Sequence, residues 1–223
     1  MIDAGTLRNI SRFLNLAEND NGSPETDYKS VYRYRDGNGG RRQVTLGRGF
    51  TEDGGNLRKV IDTYIRNGGK SDVLKSRADK IGRGVLADDA EFVKALSAAA
   101  EEKAMRDAQD EVFSNAYIAP ALAWGERNGF KLPLSFAIIC DSFLHSGRMT
   151  PSLINSFAER TPVNGGSEKT WMYRYCQARQ SWFTRSTGPL RTCVFRPAFF
   201  LAQMDANNWS FTAPMKVPGK GTI

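Results

Sequence analysis

The sequence predicts an α+β fold that is mostly helical and has two lobes, with a small β-hairpin near the N-terminus. Two observations predict this class. Apolar residues recur at helical spacing before residue 18 and again after residue 56. Between these stretches the period changes, and two short segments rich in β-branched and aromatic residues flank a glycine-rich turn. In such an architecture the cleft between the lobes is the expected place for a ligand.

The N-terminal elements follow from local spacing and from turn residues. A first helix is predicted over residues 4–17, and it stops at a polar break that runs to Gly22. The two hairpin strands are predicted within Tyr28–Arg35 and Gln43–Phe50, because the intervening segment is rich in glycine and asparagine. Everything after the hairpin is predicted to be helical.

The later helices are predicted from apolar stripes, from capping residues and from prolines in first turns. A long helix begins after Asp88 or Asp89 and continues through Met105, and Pro120 interrupts the segment that follows it. The tail from Asn207 is rich in proline and glycine and is expected to lie on the surface. The remaining predicted helices are Leu57–Ile65, Leu134–Phe143, which is the most apolar, Trp171–Phe183 and Ala198–Met204.

Length and composition limit the class of protein. A chain of 223 residues suits one domain of two lobes, predicted as a minor lobe over about residues 26–86 and a major lobe over 1–25 and 87–223. The longest apolar stretch, Leu132–Leu144, contains polar residues, so no membrane span is expected. A net charge of +7 is explained either by solubility alone or by an anionic partner. We expect no nucleic-acid partner, and we expect the protein to be a monomer.

Metal and disulfide chemistry have little support in the sequence. The single histidine, His145, has no second histidine or cysteine at metal-ligand spacing, so neither a metal site nor a cofactor is expected. Three cysteines without CxxC spacing allow one disulfide, but three free buried thiols are the commoner case.

The opening residues lack a charged segment followed by an apolar one, so no secretory signal is expected in this chain. We expect the protein to act on an extracellular or cell-wall polymer. It would be released or delivered from the cytoplasm, or it would be the trimmed form of a secreted protein.

Two carboxylates suggest the chemistry. Glu18 ends the first helix, and Asp36 lies at the tip of the predicted hairpin. Carboxylates on the two sides of a helix–hairpin junction can flank a glycosidic bond, one as a general acid and the other as a base or nucleophile. The pair alone is weak evidence, because most carboxylates are simply solvated.

The residues around this pair resemble the catalytic signature of the family-46 chitosanases. In that family a helix-ending Glu-Asn precedes an aromatic-rich hairpin with Asp-Gly, then Thr and Gly-Phe. The resemblance spans roughly residues 15–205, in order and with similar spacing. The matching words are Leu16-Ala17-Glu18-Asn19, Tyr28 and Asp36, Val44-Thr45-Leu46-Gly47-Arg48-Gly49-Phe50, Ile139-Cys140-Asp141-Ser142-Phe143-Leu144-His145-Ser146-Gly147, Pro162-Val163-Asn164-Gly165-Gly166 and Gln177-Ala178-Arg179.

The resemblance implies a lysozyme-like two-lobed fold and an endo-acting, inverting hydrolase of β-1,4-linked amino sugars that needs no cofactor. It implies that Glu18 is the general acid, that Asp36 is the general base, and that the Thr45 hydroxyl helps to position the attacking water. Inversion requires carboxylates about 6.5–9.5 Å apart, which leaves room for that water.

The resemblance also implies supporting residues. A buried network behind the acid would consist of Asp141, Arg179 and Arg196, although Asp141 could instead form a purely structural ion pair. Substrate-binding residues would be Asn19, Tyr32, Gly47, Asn56 and His145. For Tyr32 and His145, packing in the hairpin or the core is the alternative.

Three departures from the family pattern affect these expectations. The segment between Asp36 and Thr45 is longer, so Asp27, Glu52 and Asp53 remain alternative bases. Asn56 stands where the family has an aspartate that pairs with a substrate ammonium. Five arginines in the hairpin region would repel the polycation chitosan. They are Arg33, Arg35, Arg41, Arg42 and Arg48.

The sequence therefore predicts a chitosanase-like glycoside hydrolase, with chitosan as the default substrate. The neutral Asn56 and the basic charge favour an anionic or N-acetylated polymer, which makes a peptidoglycan muramidase, as in a phage lysin or a delivered toxin, the main alternative. A further alternative is an inactive basic module that binds wall polymer or nucleic acid.

Overall fold

The computed structural model describes residues 2–18, 23–83 and 86–223. The chain divides into two compact units, one formed by Met1–Glu25 with Ala116–Ile223 and the other by Thr26–Asn115. The mostly helical α+β class that the sequence predicts is confirmed, with a small antiparallel sheet near the N-terminus.

The Thr26–Asn115 unit contains a three-stranded antiparallel sheet in the order β1-β2-β3. Its strands are β1 (Val31–Tyr34), β2 (Gln43–Leu46) and β3 (Phe50–Thr51). The β1–β2 hairpin matches the prediction, with Tyr32 opposite Thr45 in the register. The third strand was not predicted, because a two-residue strand carries no period. A 3₁₀ turn at Asn38–Gly40 lies in the connection between β1 and β2.

The helices of this unit are α2 (Leu57–Arg66), α3 (Asp72–Arg77), α4 (Ala90–Ala99) and α5 (Lys103–Phe113), with a 3₁₀ turn at Ala78–Lys80. The predicted side-chain cap at Asp89 is present, and its Oδ1 accepts from Phe92 N at 2.9 Å. Four residues of the apolar stripe of α2 are fully buried, as their spacing predicts, namely Leu57, Val60, Ile61 and Tyr64, and Ile65 is half-buried.

The prediction of one long helix through Met105 is wrong, because the chain turns at residues 100–102 between α4 and α5. Glu102 accepts hydrogen bonds from Tyr64 Oη at 2.9 Å and from Lys70 N at 3.2 Å. The Arg106 guanidinium donates to Glu101 O at 2.7 Å, which satisfies a carbonyl at the end of α4. The two bonds to Glu102 come from residues far away in sequence, and they stabilise a break in a helix that local propensity alone would continue.

The boundary between the two units lies at residue 115, whereas the sequence predicts the end of the minor lobe near residue 86. Helix α5 packs against α2, and α4 packs against α3 and β1, so residues 87–115 belong with the sheet. They do not belong to the helical lobe to which the sequence analysis assigned them.

The other unit is built around α7 (Pro133–Ser146), in which every residue from Leu134 to Phe143 is buried. This confirms the segment that the sequence predicts as the core helix. A π-helical segment, Ser114–Ile118, precedes α6. The further elements of this unit are α1 (Ala4–Glu18), α6 (Ala119–Arg127), α8 (Pro151–Ile154), a 3₁₀ turn at Pro162–Asn164, α9 (Glu168–Arg185), α10 (Pro189–Thr192), α11 (Phe195–Asp205), β4 (Lys216–Val217) and β5 (Gly221–Thr222).

Most residues of the C-terminal tail are partly or fully exposed, as expected, but four of its side chains are buried in the core: Phe211, Met215, Val217 and Ile223. Strands β4 and β5 form an antiparallel pair, which Met215 and Ile223 extend by exchanging backbone hydrogen bonds of 3.0 Å. Phe211 is fully buried against Phe199, whose ring stacks on Phe13 at 4.7 Å. The proline- and glycine-rich composition predicts a surface segment, because the few apolar side chains that become buried are widely spaced in the sequence.

Within the described ranges, no helix is long and apolar enough to cross a membrane.

Candidate active site

A buried carboxylate lies at the centre of the helical unit. Asp141, in the middle of α7, is completely buried and forms ion pairs with two arginines from other helices. Arg196 Nη1 of α11 lies 2.6 Å from Asp141 Oδ1, and Arg179 Nη1 of α9 donates to Asp141 Oδ2. Both arginine side chains are almost fully buried. The three residues that the resemblance places in one network are therefore in contact.

The network continues to Glu18, the last residue of α1. Arg196 Nη2 donates to Glu18 Oε1 at 2.6 Å and to Ala17 O at 3.0 Å. The Glu18 side chain is 39% exposed, whereas that of Arg196 is 4% exposed. The series Arg179–Asp141–Arg196–Glu18 thus leads from the core to a carboxylate that a solvent-borne substrate can reach.

The electrostatics of the network keep its buried members charged. Burial by itself would raise the pKa of Asp141, but the adjacent Arg179 and Arg196 hold that pKa below its ordinary value. Burial works in the opposite direction on Arg196, where Asp141 and Glu18 nevertheless raise the pKa of the guanidinium. Because Arg196 stays a cation, Glu18 keeps a fixed partner.

His145 lies one turn after Asp141 on α7 and is half-buried. Its ring packs edge-on against Phe183 at 5.2 Å, Nε2 lies 3.4 Å from Cys193 Sγ, and Nδ1 lies 3.2 Å from Ser146 Oγ. Burial, together with the positive charges of Arg196 and Arg179, lowers the pKa of His145 to about 4. These contacts give the histidine a packing role, and its assignment to substrate binding remains a prediction.

The three cysteines are unpaired, with Cys140 and Cys176 buried and Cys193 partly exposed. Burial raises the pKa of both Cys140 and Cys176 to about 12. This agrees with the expectation of free thiols.

In the sheet unit, Asp36 follows β1 and its side chain is exposed. Its Oδ1 accepts a hydrogen bond of 3.0 Å from Nε2 of Gln43, the first residue of β2. Gln43 itself is buried, and its Oε1 accepts from Asp53 N at 3.0 Å.

The three alternative bases are each engaged in local structure. Asp53 accepts from Asn38 N at 2.7 Å and pairs with Arg41 at 3.2 Å, and its side chain is 7% exposed. Glu52 Oε2 accepts from Val44 N at 2.8 Å, and burial raises its pKa. Asp27 Oδ1 accepts from the backbone N–H groups of the turn that follows it, at 2.9 and 3.0 Å. Asp36 differs from all three in combining an exposed carboxylate with a side-chain donor.

Thr45 and Tyr32 are opposite each other in the β1–β2 register. Thr45 is buried, and its Oγ1 has no hydrogen-bond partner among the residues that the structure describes. Tyr32 is 41% exposed and stacks on the more exposed Tyr34, with ring centroids 5.4 Å apart. A buried hydroxyl without a protein partner can bind a water molecule, and an exposed aromatic pair can contact a sugar ring.

Gly47 and Asn56 occupy structurally defined positions. Gly47 has φ of +50°, and a Cβ there would lie 2.8 Å from the backbone oxygen of Asp27, so a glycine is required for packing alone. Asn56 precedes α2, and its carbonyl accepts from Val60 N at 3.0 Å. Their substrate-binding roles remain predictions, and Asn19 lies outside the described residues.

Comparison with known protein families identifies the family of this chain. The sequence model of the family described as glycosyl hydrolase family 46 matches residues 12–215, which is most of the chain. The chain belongs to glycosyl hydrolase family 46.

Relatives of this family 46 chain agree with that assignment. It is 29% identical over 175 residues to a chitosanase of Bacillus subtilis (strain 168), a match that covers 72% of this chain. The match covers 61% of that curated relative, so the chain spans less than two thirds of its length.

Solved structures show the same fold. A crystal structure of a mutant chitosanase from Bacillus subtilis MY002, complexed with 6 GlcN, matches with a TM-score of 0.84 and 22% identity, over 100% of this chain and 99% of that one. A complex of the family-46 chitosanase of Gynuella sunshinyii with chitotetraose matches with a TM-score of 0.81 and 18% identity, over 100% and 98% of the two chains.

Two residues beside the family 46 signature were not singled out from the sequence for what they do. Gln43 reads as an ordinary strand residue, and Asp53 was considered only as an alternative base. Nothing in their spacing signals that both contact the segment around Asp36. A polar residue at an otherwise apolar, buried strand position was the available hint.

We expect Asp141→Asn to destabilise the protein by about 3–5 kcal/mol, because the change leaves the buried Arg179 without its counter-charge and Arg196 with Glu18 alone. Activity should fall as well, since Arg196 also holds Glu18. Urea unfolding measures the free energy. Asp62→Asn, which disrupts an exposed pair with Arg58, is the control and should cost less than about 1 kcal/mol. A loss of under about 1 kcal/mol for Asp141→Asn would contradict a buried network.

The pKa of His145 predicts a pH-dependent stability. Its folded value of about 4 lies below the ordinary 6.5, so the unfolded chain takes up the proton first as the pH falls. Wild-type protein should therefore lose part of its stability between about pH 6.5 and pH 4, and His145→Gln should lack this part of the loss. Parallel stability–pH curves for the two proteins, measured by urea unfolding, would rule out the shifted histidine.

Proposed function

We propose that this chain is a chitosanase that hydrolyses internal β-1,4 bonds of chitosan with inversion at the anomeric carbon. The observation that carries the proposal is the series Arg179–Asp141–Arg196–Glu18, which ends at a half-exposed carboxylate in a family 46 chain. The names of its relatives support chitosan as the substrate, because they are chitosanases and two of their structures hold 6 GlcN and chitotetraose.

In the proposed mechanism, protonated Glu18 donates its proton to the glycosidic oxygen as that oxygen leaves the sugar. Arg196 fixes the position of the Glu18 carboxylate, and Asp141 fixes Arg196. The Glu18 carboxylate that remains after proton transfer keeps a charged hydrogen bond to Arg196, which stabilises it.

The attacking water is the second reactant. Asp36 would accept its proton while its oxygen bonds to the anomeric carbon from the face opposite the leaving group. Thr45 supports this step because its buried Oγ1, without a partner in the described part of the chain, can hold a water molecule. The products are two shorter oligosaccharides with one new reducing end.

The charge argument against chitosan is weaker in the structure than in the sequence. Three of the five arginines near the hairpin are in ion pairs, Arg41 with Asp53, Arg42 with Asp88 and Arg48 with Asp110. An ion-paired guanidinium repels a glucosamine ammonium much less than an isolated one, because its field is largely cancelled at a distance. The hairpin charge therefore favours peptidoglycan less than the sequence suggests, and the neutral Asn56 is the argument for that polymer that stays.

We expect the protein to release soluble glucosamine oligomers from chitosan, and mass spectrometry of the products detects them. Glu18→Gln should reduce their release by at least about a hundredfold while the fold is kept, because the amide cannot donate the required proton. Purified peptidoglycan serves as the second substrate. Soluble muropeptides together with inert chitosan would replace this proposal by the muramidase alternative, and binding to either polymer without new reducing ends would replace it by a binding module.

We expect Asp36→Asn to be nearly as inactive as Glu18→Gln, because asparagine cannot accept the proton of the attacking water. Glu52→Gln and Asp27→Asn are the matched comparisons, since each amide keeps an oxygen for the backbone donors that its carboxylate serves. Initial rates on chitosan separate the candidates. An active Asp36→Asn beside an inactive Glu52→Gln would transfer the role of base to Glu52.

A further inference from the structure

A single buried amide connects the candidate base to the rest of the sheet unit. Gln43 donates from Nε2 to Asp36 Oδ1 and accepts at Oε1 from Asp53 N, each at 3.0 Å. The orientation of the amide is fixed by chemistry, because a backbone N–H needs an acceptor and a carboxylate needs a donor. Gln43 is 5% exposed, so water competes little for either bond.

The residue at the other end of this amide organises the connection between β1 and β2. Asp53 Oδ2 accepts from Asn38 N at 2.7 Å, and both Asp53 oxygens lie 3.2 Å from Arg41 Nη2. Gly37 N donates to Arg41 O at 3.0 Å, which closes the turn. A Cβ on Gly37 would lie 2.7 Å from Asp53 Oδ2, so the turn packs directly against this carboxylate.

We propose that Gln43 is the positioning residue of Asp36. The backbone N–H of Asp53 holds the Gln43 amide, and the carboxylate of Asp53 holds the turn between β1 and β2. The proposal rests on the proposed function, in which Asp36 is the general base. Within the segment between Asp36 and Thr45, Asn38 and Arg41 contact Asp53, whereas Asp36 is held from β2 by Gln43.

Positioning matters here because Asp36 is exposed and precedes a glycine-rich turn. Without a partner its carboxylate would sample several rotamers, and a displacement of about 1 Å in a catalytic group can cost about a hundredfold in rate. The bond from Gln43 is made to Oδ1, and Oδ2 would accept the proton from the attacking water.

Two substitutions separate positioning of Asp36 from support of the loop. Gln43→Met removes both hydrogen bonds at similar side-chain length. Gln43→Glu keeps an acceptor for Asp53 N, but ionised glutamate cannot donate to Asp36. With a hexamer of glucosamine as substrate, we expect kcat of both variants to fall about 10- to 100-fold, with KM within about threefold of wild type.

A matched control tests for general damage from replacing a glutamine. Gln203, on α11, is half-buried and accepts from Asn208 Nδ2 at 2.9 Å. Gln203→Met should leave kcat unchanged. If Gln43→Met keeps more than about a third of wild-type kcat, the bond to Asp36 is dispensable and the proposal is wrong.

A double-variant cycle separates positioning of Asp36 from a purely structural role, because it measures the effect of Gln43→Met on the rate with and without the Asp36 carboxylate. If Gln43 acts through Asp36, Gln43→Met should reduce the residual rate of the Asp36→Asn protein less than about twofold. Equal losses in both backgrounds would overturn the positioning role and leave Asp36 as the base. Full activity of Asp36→Asn by itself would instead overturn the proposed base, and with it this inference.

Discussion

The Asp141 carboxylate is the constraint on which the geometry of the candidate acid depends. A completely buried carboxylate is costly unless opposite charges compensate it, and here two guanidinium groups from α9 and α11 do so. One carboxylate between two cations would leave an excess positive charge in the core. Glu18 supplies the second negative charge at the partly exposed end, so the four groups are formally neutral when Glu18 is ionised. The cluster therefore joins α1, α7, α9 and α11 of one unit and holds the acid at its rim.

Each of the two units holds one candidate catalytic carboxylate, and the hydrogen-bond donor that holds it differs between them. Glu18 is held by a charged donor that is itself fixed by a buried ion pair, whereas Asp36 is held by a neutral amide that is fixed by the backbone of Asp53. A proton donor gains from a cation beside it, because that cation stabilises the carboxylate left after transfer. A proton acceptor would lose basicity beside a permanent cation, so a neutral donor suits it better.

Much of the fold could be predicted from local patterns, and the failures have a common cause. The first helix, the hairpin and α7 follow from periodicity and turn residues, which are encoded within each segment. The break between α4 and α5 depends on Glu102 contacting Tyr64, a residue far away in sequence. The burial of Phe211 in the tail likewise depends on its contact with Phe199. For the candidate site, the motifs identified Asp141, Arg179 and Arg196 correctly as one network, but no motif marks Gln43. A glutamine acquires its role only from the two groups that the fold places on either side of its amide.

Arg41 shows why counting charges along a sequence misjudges a binding surface. In the sequence it adds to a basic hairpin that should repel a polycation, and that repulsion supported an anionic polymer as the substrate. In the structure it pairs with Asp53, closes the turn through its carbonyl and so belongs to the scaffold behind Asp36. The same ion pair explains why Asp53 is not available as a base and why the longer turn keeps a defined shape. One contact thus weakens the charge argument against chitosan and also engages Asp53, one of the alternative bases.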